Sequence, residues 1–176
     1  MEIGLGRRLG IAVVSLATSA ILFHAQVASM LVTRGDDCAR ANALERAKTM
    51  YTRALWFDQA SIVAADRLAF LGIRQHNRVG YELARDTASK GLRHQANARG
   101  LLLDRALAEE HLGDFAAALA DFDRLAAIEP DPRTIEFAAR MAMRLHDRQA
   151  AHVRFGRVLA MNPLFASARR GFKETQ

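Results

Sequence analysis

Five histidines (His76, His94, His111, His146 and His152) and two acidic pairs, Glu109-Glu110 and Asp121-x-Asp123, are the residues whose types suit metal or acid–base chemistry. Their spacing suits neither. Ligands offered by one helix must share a face, as two histidines four residues apart do; His146 and His152 are six apart and fall on different sides of a turn. Neighbouring helical residues diverge by about 100°, so the acidic pairs are expected on solvated helix faces and not in a general acid–base dyad. No nucleophile motif accompanies them. Cys38 is the single cysteine, which excludes an internal disulfide and a thiolate metal knuckle. Gly4-x-Gly6, followed by Arg7 and Arg8, has no preceding strand and is not a phosphate loop. The expectation is a chain without catalytic residues, metal or cofactor.

The elements that position these residues are helices. Hydrophobic residues make up 51% of 176 positions, alanine is abundant and proline occurs three times, a balance that favours helix over strand. An apolar pattern recurs along the chain. Ala118, Phe122, Leu125, Ala126 and Pro130 are followed at a constant offset by Ala151, Phe155, Val158, Leu159 and Pro163, and preceded by Ala84, Ala88, Gly91, Leu92 and Ala96. A fainter set stands at Ala47, Tyr51, Ala54, Leu55 and Gln59. Each set occupies one face of a 3.6-residue helix, with small residues where a neighbouring helix must come close.

With Leu68, Leu71 and Gly72 in one unit, Gly113, Asp114, Phe115, Ala118, Phe122 and Pro130 in the next, and Ala151, Phe155 and Pro163 in a third, the chain resembles the tetratricopeptide repeat family. The resemblance implies an all-α, right-handed solenoid of helical hairpins that binds other proteins. Arg105 and Glu109 depart from it, standing where the family's first helix is usually apolar, and Ala96 replaces a closing proline. Two short helices cannot bury an apolar stripe alone, so three or more units must stack. Three repeats are expected at about 65–98, 99–131 and 132–165, with 166–176 as a helical cap and tail in which Leu164, Phe165, Ala168 and Phe172 close the core. A degenerate first repeat is expected over 36–64, its helix capped by Asp36 or Asp37.

Upstream, residues 9–32 contain no Asp, Glu, Lys or Arg. As a helix the run would reach about 36 Å, enough to cross a hydrocarbon core of ~30 Å, and a single N-terminal transmembrane helix (a signal anchor) is expected there. Arg7 and Arg8 before it, against Arg34 followed by Asp36 and Asp37 after it, place residues 1–8 in the cytoplasm. The repeats then face the periplasm or exterior of a cytoplasmic (inner) membrane, close to the bilayer surface. His24 and Gln26 are candidate intramembrane contacts for a partner helix, or face the outer headgroups. A secretory signal peptide is the alternative; cleavage after Ala25 or Ala28 fits the small-residue pattern poorly, and cleavage after Ser29, tolerable with Val27 upstream, leaves Leu31 and Val32 outside.

In the family the first helices line a concave groove. Carried over, that surface comprises Ala69, Ile73 and His76, then Leu103, Leu107 and Glu110, then Glu136, Arg140 and Arg144. A peptide or short helix would lay apolar side chains on Ile73, Leu103 and Leu107 and an acidic group on Arg140 and Arg144; the charged residues, at i, i+4 and i+8, equally suit a solvated stripe of ion pairs. The expected function is a membrane-anchored interaction scaffold or assembly subunit of a membrane or envelope complex. The expected partners are proteins, met at the groove and the transmembrane helix, and the lipid bilayer; the alternative is a secreted periplasmic adaptor or chaperone with its signal removed. A third reading, contact with lipid or nucleic acid through arginine, rests on a net charge of +6. Without Arg7, Arg8, Arg34 and Glu2 the excess falls to +4 and is dispersed, so nucleic acid is not the expected partner.

Overall fold

The computed structural model describes the backbone of residues 3–176 and the side chains of residues 21–176. Among the described residues there are nine helices and no strand: α1 (Ile3–Arg40), α2 (Leu44–Phe57), α3 (Ile62–Arg74), α4 (Arg78–His94), α5 (Arg99–Leu112), α6 (Phe115–Ile128), α7 (Pro132–Arg144), α8 (Arg148–Met161) and α9 (Ala166–Glu174). They divide into two compact units, residues 1–64 and 65–176.

In the first unit α1 and α2 pack as a hairpin. Ala28, Leu31 and Val32 are buried along α1, and Ala47, Tyr51 and Ala54 along α2. Asp36 and Asp37 do not begin a new helix: α1 runs through both without a break to Arg40. An N-cap residue must leave helical geometry, and here the helical path is needed, because Gly35 makes room for the Tyr51 ring and Asp36 accepts a hydrogen bond from the Tyr51 hydroxyl at 2.7 Å. Asp37 pairs with Arg40 at 2.5 Å. Of the expected span over 9–32, the side chains up to residue 20 lie outside the described residues. Among the described residues no helix is long and apolar enough to cross a membrane. Within that run Ala28, Leu31 and Val32 face the interior of the hairpin, while Ser29 and Met30 are exposed.

In the second unit successive helices pack in chain order. The apolar positions of the repeat are its interior: Ala84, Ala88 and Gly91 on α4, Ala118, Phe122 and Leu125 on α6, and Ala151, Phe155 and Val158 on α8 are all buried. Side-chain carboxylates and amides start the second helices. Asn77 accepts from the Gly80 N–H, Asp114 from Ala117 and Asp147 from Ala150, each satisfying a donor the helix leaves unpaired. Asp131 does the same for Thr134, with Pro132 at the start of α7, where a missing N–H costs nothing. Gly113 ends α5 at φ 87°. The equivalent turns after α3 and α7 place His76 (φ 50°) and His146 (φ 61°) in the same left-handed region.

Two crossings set the spacing. On α3, a Cβ on Gly72 would stand 2.5 Å from the Gly80 carbonyl oxygen, so only glycine lets α3 and α4 touch through their backbones. At the C-terminal end α9 covers the last hairpin, the Phe155 ring lying against Gly171 with Ala168 buried beside it. Phe165 and Phe172 pack against the same cluster. Leu164 was expected to help close this end; it is 77% exposed, because α9 begins two residues later and leaves it in the connecting turn.

Candidate partner-binding surface

The first helices of the second unit lie side by side. On α3 the Asp66 carboxylate rests against Gly100 of α5; Glu110 of α5 accepts from Arg140 of α7 at 2.7 Å; and α7 meets α9. One surface therefore runs across four helices. Placed on it from the sequence, Ile73 and Leu107 are half-buried and Leu103 is exposed, available to a partner's apolar side chains. Ala69 is not: it is fully buried, a core residue, because α3 turns that side towards its neighbours. His76 is exposed in the turn beyond α3 and not on the helix face.

The charged residues also sit differently from a solvated stripe. Arg140 is held by Glu110 and approaches Glu136 at 4.0 Å, while its guanidinium lies 5.2 Å from the Phe137 ring centre. Arg144 turns to the Phe115 ring at 5.6 Å. Arg140 is thus already ion-paired, whereas Arg144 is exposed on this face, its only contact among the described residues being the Phe115 ring. Four carboxylates, Asp66, Asp104, Glu110 and Glu136, stand along this face, with Asp104 and Glu136 buried and Glu110 paired to Arg140. Burial raises the Glu136 carboxyl, partly offset by Arg140. Asp66 is raised by burial against a smaller opposing effect of Arg67. Asp104, 7% exposed, is pushed up to about 7 by burial and then by the nearby Asp66.

Glu109 and Asp121, expected on solvated faces, are both buried. Asp121 accepts two hydrogen bonds from Arg105, Nε to Oδ2 at 2.6 Å and Nη2 to Oδ1 at 2.7 Å. This fork ties α5 to α6. Glu109 lies beside it, 3.8 Å from the Arg105 Nε, with Oε2 buried and unpartnered. Burial, and then Asp121, raise its pKa to about 7 against the pull of Arg105. Asp123 faces α8, where Arg154 donates to it at 3.1 and 2.5 Å. The signal that could have found this network was Arg105 itself, a cation in a normally apolar position that needs a buried anion.

The histidines stay apart. His111 stacks on Tyr81 at 4.3 Å, His152 stacks on Phe172 at 4.1 Å and shares a 2.9 Å hydrogen bond with Thr175, and His94 is exposed at the end of α4. Among the described residues no group of three potential ligands gathers around a metal position. His24 and Gln26 are both exposed, with the His24 ring edge-on to Phe57 of α2 at 5.9 Å.

No family model matches the chain, and no curated protein matches it in sequence. Solved structures do match its fold. A tetratricopeptide repeat protein from Parabacteroides merdae superposes with a TM-score of 0.73 at 20% identity over 83% of this chain, which spans 57% of that protein's length. MamA gives 0.78 at 12% identity over 85% of this chain and 81% of its own. The first tetratricopeptide domain of RPAP3, bound to the HSP90 peptide SRMEEVD, gives 0.64 at 17% identity over 69% and 95%. At such identities the likeness establishes the fold: all-α, of the tetratricopeptide repeat type.

Proposed function

We propose that this chain is a non-enzymatic protein–protein interaction scaffold or assembly subunit, held by its N-terminal helix at the outer side of a cytoplasmic membrane. Partners dock on the face formed by α3, α5 and α7. The observation that carries the docking reading is one shared surface on which Leu103 is exposed and Ile73 and Leu107 are half-exposed, with Arg140 and Arg144 exposed beside them. An extended segment or short helix with apolar anchors and an acidic group for the exposed Arg144 fits this face. That a domain of this fold in RPAP3 holds a peptide supports a peptide-sized ligand.

Retention of the N-terminal segment is supported by α1 itself. Cleavage after Ala25, Ala28 or Ser29 would cut inside a continuous helix that packs on α2. N-terminal sequencing of the mature protein separates this reading from a secreted adaptor.

The test is copurification of tagged protein from detergent-solubilised membranes. A stoichiometric companion is expected, and Leu103→Asp with Leu107→Asp should cut its recovery about tenfold or more, as loss of an apolar anchor does, with helical content unchanged. Undiminished capture by the folded double variant would exclude the groove.

A further inference from the structure

We propose that Phe23, Trp56 and Phe57 form an aromatic collar seated in the headgroup layer of a lipid bilayer, so that the acyl region begins at Phe23 and not at Val32. The proposal rests on the reading of the N-terminal helix as a membrane anchor and specifies where that anchor ends.

Three consecutive residues of α1, Ile21, Leu22 and Phe23, are 67, 63 and 59% exposed. Successive helical side chains point about 100° apart, so these three spread exposed apolar surface over most of the circumference of α1, far more than one stripe. An all-round apolar surface is what hydrocarbon requires; a second copy of the chain would cover one stripe and leave the rest in water. The sequence before it, 9–20, continues without a charge. Beyond Phe23 the character changes. His24, Gln26, Ser29 and Thr33 are exposed and polar, while Ala28, Leu31 and Val32 turn inward.

At this transition the antiparallel α2 delivers its C-terminal end. Phe57 meets His24 edge-on at 5.9 Å, Trp56 meets Phe57 at 4.8 Å, and His24 lies 6.3 Å from the Phe23 ring. Trp56 is 76% exposed, a large apolar ring with a polar N–H and nothing over it. Aromatic residues of this kind concentrate where hydrocarbon meets water. Of the charged residues of α2, Glu45, Arg46 and Lys48 stand at the opposite end, roughly 12–18 Å further along the axis. The exposed Arg53, one turn from Trp56, and the C-cap Asp58, next to Phe57, lie at the level of lipid headgroups. A run of 9–23 covers about 22 Å, and a span shorter than the acyl core is accommodated by local thinning and by extension of flanking cations.

Trp56 is the chain's single tryptophan and reports on its own depth. Full-length protein is reconstituted into phosphatidylcholine/phosphatidylglycerol vesicles carrying bromines either near the headgroup end of the acyl chain or near its terminal methyl. Wild-type protein should float with the vesicles, emit at shorter wavelength than in urea, and be quenched more by the shallow bromines than by the deep ones. The reporter moved to the far end of α2, Glu45→Trp with Trp56→Phe, should emit as in water and escape both. Flotation with Trp56 unquenched, or with both reporters quenched alike, overturns the collar and leaves the anchor standing. Failure to float overturns both.

Discussion

Asp104 is the residue at which folding and protonation are most tightly linked. Unfolded, its carboxyl titrates near 3.8; in the folded chain burial raises that to about 7. Between those values the folded state binds more protons than the unfolded one, so stability is full below about 3.8 and declines as pH rises towards 7. Asp104→Asn keeps the shape and removes the charge. It should raise stability at pH 8 by about 1–3 kcal/mol and flatten its fall between pH 4 and 7, read as urea midpoints of both proteins across that range. An equal pH slope in the variant would show that Asp104 is not the group. Nothing around position 104 announces this behaviour, because it depends on burial by the packed helices and, secondarily, on Asp66 coming near from another helix. Arg105 and Asp121 are the converse. Each looks misplaced alone, a cation in an apolar position and an acid on a supposedly wet face, yet together they form a forked pair between α5 and α6.

Among the helices, the hairpin turns were legible from local chemistry, since Gly113-Asp114, Asp131-Pro132 and Asp147 act within a few residues of themselves. The closeness of α3 and α4 was not. Gly72 fits the repeat pattern, but that its Cβ position is filled by the Gly80 carbonyl is a fact about two helices. Gly72→Val should force them apart and cost about 1–3 kcal/mol, the usual range for overpacking, seen as a lower melting temperature with near-native helicity. An unchanged melting temperature would mean the crossing is looser than described. The same contrast explains α1. Charge and spacing put a helix start at Asp36, whereas Tyr51 on a separate helix recruits Gly35 and Asp36 into an unbroken one.

For the second unit as a whole, stability is a sum over neighbouring helices, so the last helix matters more than its nine residues suggest. Ending the chain at Asn162 removes α9 and uncovers Phe155, Ala151 and Val158. Such a truncation should bind more of an apolar dye and unfold at lower temperature than the full chain; indifference by both measures would show that α9 is an ornament and not a cap. The amphipathic stretch predicts this cap, and Phe165, Ala168 and Phe172 meet the core as expected; Leu164 does not, since the turn before α9 carries it outward, and Gly171, against the Phe155 ring, joins them.

Helix content, the repeat interval and the buried face of each second helix were settled by sequence, because they depend on periodicity along a single segment. Tertiary structure alone decided which carboxylates lose their water, which arginines are already spoken for, and which apolar residues remain uncovered. Those properties belong to pairs of groups far apart in the chain. The free energy of a charge or an apolar surface is set by what folding brings against it.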